Sequence, residues 1–125
     1  MTVFAPSPAV PASPTLDTAN IKQALATALP TGDEVVLTPG VYLVNETLVM
    51  GGTQAITSVS LRGAGKLSTS LGWVGPASGN VLFVDHNKRF RLADLGIFQS
   101  VHGPAIGIRF GRSGGPWNGT MAGNC

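Results

Sequence analysis

The sequence predicts an all-β chain that coils as a solenoid of short parallel strands behind one amphipathic helix. Three observations carry that expectation: a single convincing helical period, a succession of strand-length apolar runs with no second helix among them, and a composition rich in turn residues. Its 125 residues set a prior of one domain. Charged residues are only 11%, while 17 Gly and 9 Pro make up about a fifth of the chain. Hydrophobic residues reach 43% and mean hydropathy is +0.25, so wholesale disorder is excluded. The net charge of +2 lacks the basic stripe of a nucleic-acid binder, and no window approaches the roughly 18 apolar residues of a membrane span. The lone Cys125 cannot close an internal disulfide, and with only His86 and His102 beside it no zinc module is expected.

Residues 1–15 carry Pro6, Pro8, Pro11 and Pro14 among Ala, Ser and Val, and read as an extended, Pro-rich lead-in with no packing pattern and no export signal. The folded part is expected over 16–125. Asp17 is the expected N-cap of a helix, with Leu16 and Ile21 at the two positions of a hydrophobic staple. Ile21, Ala24, Leu25, Ala28 and Leu29 then share one face over about three turns, and Pro30 and Gly32 stop the helix. Beyond it the period shortens. Strands are expected at Glu34–Leu37, Val41–Val44, Thr47–Met50, Ser58–Arg62, Ser70–Val74, Val81–Val84, Phe90–Leu92, Leu95–Phe98 and Ile106–Phe110. Several are apolar at nearly every position, which suits strands covered on both faces, and without crossover helices a parallel sheet needs a coiling chain. Val35–Leu37, Val59–Leu61 and Arg91–Ala93 read as successive rungs. An up-and-down barrel or a sandwich is the physical alternative.

Four motifs then fall in order: Asp17 to Leu25 with its Ile-Lys-Gln-Ala-Leu ending, Val35 to Tyr42 with Pro39-Gly40-Val41-Tyr42, Thr47-Leu48, and Val59 to Gly65 with Gly63-Ala64-Gly65. Together with Arg91 to Ile97, which reads as a further rung, the series resembles the N-terminal start of the pectate lyase superfamily over about residues 16–97. Lys22 departs from the family pattern and Gln23 keeps it. The resemblance implies a right-handed parallel β-helix with a short N-terminal capping α-helix, C-terminally incomplete after a few coils. It also implies a glycan-binding or glycan-degrading parent, foremost a phage tail-spike or tail-fibre component of a virion, often a homotrimer. A secreted, extracellular polysaccharide lyase or glycoside hydrolase is the alternative, and a purely structural β-helix the third.

Chemistry on a polysaccharide needs positioned carboxylates, or carboxylate-bound calcium with a base. With Asp17 assigned to the cap and Asp33-Glu34 to a turn, Asp85, His86, Asp94 and His102 are the catalytic candidates. Arg109 is grouped with them and, with Trp117 in a Gly/Pro-rich loop, is a candidate for binding sugar, whereas Trp73 in an apolar strand is expected in the core. Lys88, Arg89 and Arg91 with Arg109 and Arg112 form a basic cluster that could meet an acidic polysaccharide. Arg62-Gly63-Ala64-Gly65-Lys66 fails the phosphate-loop spacing at Ser60 and Leu67, and reads as a turn. No resident cofactor or metal is expected in this chain; calcium would enter only with a longer parent protein of the resembled family. No glycan cleavage is expected of the chain alone.

Overall fold

Ten short strands and one helix make up the computed structural model, which describes residues 2–51, 58–85, 87, 89–99 and 106–111. β1 (Thr2–Phe4) precedes the helix α1 (Pro14–Ala28). After it come β2 (Glu34–Val36), β3 (Gly40–Val44), β4 (Leu48–Gly51), β5 (Ser60–Arg62), β6 (Thr69–Trp73), β7 (Asn80–Asp85), β8 (Leu92–Ala93), β9 (Gly96–Gln99) and β10 (Ile106–Gly111). Every strand pairing is parallel, in three sheets ordered β1-β2-β5-β8, β3-β6-β9 and β4-β7-β10. Among the described residues, no two consecutive strands from β2 onward pair with each other. β2, β3 and β4 enter three different sheets, and β5, β6 and β7 join the same three in the same order.

This arrangement corrects the expected fold class. In place of an all-β right-handed parallel β-helix, the structure is a small mixed α and β arrangement of three discrete sheets, each of three or four short strands, and one helix. The physical reason lies in the core. Ile21, Ala24, Leu25 and Ala28 of α1 are buried in the same hydrophobic cluster as the strands, so the helix is a layer of that core. Among the described residues, each sheet also comprises only three or four strands.

The helix begins earlier than expected, with a different cap. Ser13 takes the extended N-cap conformation and its side chain accepts from the Leu16 amide at 3.3 Å, with Pro14 opening the first turn. With the cap at Ser13, Leu16 lies inside the first turn and is 55% exposed, so it does not hold the staple position ahead of the cap. Asp17, the expected cap, is freed for another task described below. Within the lead-in, β1 pairs with β2 in the register Val3 with Val35, and Ala5 is buried.

Side chains stack in rows across each sheet, because in-register parallel strands place equivalent positions on one face. Val3, Val35, Leu61 and Leu92 form one row; Tyr42, Leu71 and Ile97 a second; Leu48, Leu82 and Ile108 a third; Met50, Val84 and Phe110 a fourth. Most of their inner members are fully buried, each contributing roughly 1.5–3 kcal/mol by leaving water. The rungs read from the sequence need re-registering: Val35 pairs with Leu61 rather than Val59, and Leu61 with Leu92 rather than Ala93. Tyr42 is buried, and its hydroxyl lies 2.9 Å from the Thr38 hydroxyl. Trp73 is in the core as expected, its Nε1 donating to the Pro76 carbonyl at 3.0 Å. Gly63 is required by packing: a Cβ there would collide with the Asp94 carbonyl oxygen.

Candidate functional site

The outer face of the β4-β7-β10 sheet carries the best candidate surface. Val49, Phe83 and Arg109 occupy one register position on three adjacent strands, and all three alternate with inward core residues. Arg109 is exposed, and its guanidinium carbon lies 5.1 Å from the centroid of the half-buried Phe83 ring. That separation is within cation–π range, so the ring attracts the cation and restrains a flexible side chain. Two residues along β7, Asp85 shares the alternation of Phe83 and is flanked in register by Gly51 and Gly111. Asp85 is buried.

The expected catalytic group is divided. Asp85 ends β7, whereas Asp94 follows β8 in a different sheet, so the two carboxylates are placed by separate elements. Asp94 is exposed and adopts a left-handed backbone at φ 60°, which turns its carbonyl to accept from the Gly65 amide at 2.8 Å. It borders an open cavity of about 340 Å³ shared with Leu92, Ala93, Leu95, Ile97 and Ile108, and Asp85 is not in that lining. His86, His102 and Trp117 lie outside the described residues, as do Lys88 and Arg112 of the basic cluster. The cluster's described members are spread out: Arg89 and Arg91 flank β8 on its N-terminal side, while Arg109 sits on β10. Arg91 is tied down by its own backbone, whose amide donates to Ser60 Oγ at 2.8 Å.

The glycine-rich turn after β5 is a structural turn. Gly63 N donates to the Ala93 carbonyl at 3.1 Å, Ala64 N to Thr69 Oγ1 at 2.9 Å and Gly65 N to the Asp94 carbonyl at 2.8 Å, so these amide donors are already used. A phosphate cradle needs such donors free. Among the described residues no group of three or more His, Cys, Asp or Glu could hold a metal ion, and no helix is long and apolar enough to cross a membrane.

Sequence reasoning missed two residues. Phe83 looks like any strand apolar residue until the β7-β10 register sets it beside Arg109, 26 positions later. Asp17 is fully buried and bridges two distant amides, Ala9 N to Oδ1 at 2.9 Å and Leu43 N to Oδ2 at 3.0 Å. Its neighbour Thr18 makes the parallel link, accepting from Asn45 N at 3.1 Å. Elsewhere, the Thr31 hydroxyl donates to Asp33 Oδ2 at 2.7 Å and holds that carboxyl below its ordinary 3.8. No family model, curated protein or solved structure matches this chain.

Proposed function

We propose that the chain binds an acidic polysaccharide through the outer face of the β4-β7-β10 sheet and does not cleave it. The observation that carries this reading is the exposed Arg109 guanidinium held at 5.1 Å over Phe83 on a regular sheet. A guanidinium presents a planar fork of donors that fits a uronate carboxylate, and an aromatic partner that restrains it lowers the entropy lost on binding. Strand-borne groups at a fixed register also suit the repeating spacing of a polymer. What supports binding without cleavage is the placing of two candidate carboxylates: Asp85 ends β7 while Asp94 follows β8 of another sheet, and of the two Asp94 alone borders the cavity.

The setting of this activity is a proposal from sequence. The ordered motifs that resemble the pectate lyase superfamily fit a virion tail component, with a secreted lyase or hydrolase as the alternative. The Pro-rich lead-in does not decide between them, since residues within 2–9 are hydrogen-bonded to β2 and α1.

The test is affinity electrophoresis and titration calorimetry with polygalacturonate and a neutral glucan, on the natural chain and on Arg109→Ala and Phe83→Ala. Retention by the acidic polymer, weakened about tenfold or more by Arg109→Ala and less by Phe83→Ala, is expected. Equal retention of all three proteins, or none by any acidic polymer, refutes the site. Release of unsaturated uronate or reducing ends refutes binding without cleavage.

A further inference from the structure

We propose that residues 2–12 form a strap that opens as a unit while the core stays folded, with the Asp17 carboxylate as its latch. The strap buries little. Ala5 is its only fully buried residue, while Phe4 is 68% and Val10 95% exposed. Segments with few buried apolar groups open at a small fraction of the global unfolding free energy.

The strap is instead held at separate points. Besides the three-residue ladder to β2, Ala5 N donates to the Val36 carbonyl at 3.1 Å, and Thr38 Oγ1 donates to Ser7 Oγ at 3.3 Å. The Pro8 ring rests on Gly40, where φ is 139° and a Cβ would come within 2.7 Å of the ring. The last point is Ala9 N on Asp17 Oδ1. That bond alone among them has an ionised acceptor, the stronger kind of hydrogen bond.

Asp17 is built to keep its place when the strap leaves. Its other oxygen holds Leu43 N of β3, and its backbone lies in the first turn of α1. The carboxylate therefore stays aimed, and the strap can return without reordering the helix. Opening would uncover the main-chain edge of β2, which β1 otherwise pairs.

Amide hydrogen exchange on the full chain tests this. Ala5 and Ala9 are expected to exchange at a common rate, about 100-fold faster than Leu37 and Leu61, which donate to the Arg62 and Arg91 carbonyls. Leu43, on the same carboxylate as Ala9, is expected to exchange with the core. In Asp17→Asn, Ala5 should accelerate about tenfold although nothing links its amide to Asp17, with Leu37 and Leu61 changed less than about twofold. Should Asp17→Asn fail to fold, Pro8→Ala, which lifts the ring from Gly40, should give the same pattern. Strap amides exchanging with the core, an Ala5 rate indifferent to both changes, or equal acceleration of every amide overturns the proposal.

Discussion

The two ends of the stacked sheets are built differently. At one end α1 lies against β1, β2, β3 and β4, and its Ile21, Leu25 and Ala28 are buried with the strand residues of the core. At the other, β8, β9 and β10 are the last strands of their sheets among the described residues. Leu92, Leu95, Ile97 and Ile108 there are only half-buried around the cavity. The same apolar residue types thus do different energetic work at the two ends. What decides is whether a second layer has removed them from water.

The largest expected effect follows directly. Leu25→Ala, in the covered end, should lower unfolding free energy by about 3 kcal/mol in urea titrations, against about 1 kcal/mol for Ile97→Ala. Equal losses would mean that the far end is as well packed as the helix end, and the contrast would fall. A smaller effect of opposite sign is expected at Asp94. Its left-handed backbone is strained, so Asp94→Gly should stabilise by about 0.5 kcal/mol, the relief exceeding the extra chain entropy of glycine. A loss of stability would show that the Asp94 carboxylate contributes more than its backbone costs.

The smallest effect lies beside the helix, at Asp33. Its carboxyl is held below 3.8 by the Thr31 hydroxyl. A depressed carboxyl contributes stability above its unfolded value, and that contribution fades as pH falls through the lowered folded value. Thr31→Ala should move the Asp33 titration, followed by NMR, up toward 3.8 and leave the carboxylates of the far end unmoved. A titration curve that does not move would remove Thr31 as the cause.

Much of the secondary structure was legible in the chain because apolar runs and turn residues are local signals. All nine strands expected after the helix have counterparts in β2 to β10, and the buried helix face is the one the spacing marks. What failed was decided by non-local competition. Ser13 and Asp17 both suit an N-cap, and only the amides of Ala9 and Leu43, brought in by the fold, decide that Asp17 serves elsewhere. Thr2–Phe4 is too short to declare itself a strand without β2 beside it. The fold class failed for a similar reason, since the spacing of runs does not reveal that the helix enters the core as a layer. Of the candidate site, Arg109 was legible as an exposed cation, whereas Phe83 beneath it needed a register that no single segment encodes.

The exclusive use of parallel pairing between non-consecutive strands bears on how fast this chain can find its structure. Val35 waits for Leu61, Leu61 for Leu92 and Tyr42 for Leu71, contacts 26, 31 and 29 residues apart. Among the described residues no strand from β2 onward pairs with the next in sequence, and α1 is the one local nucleus. Each added strand closes a loop of similar length before any of its hydrogen bonds compensate the lost entropy. Such a topology has high contact order, and folding times of milliseconds to seconds are the scale to expect.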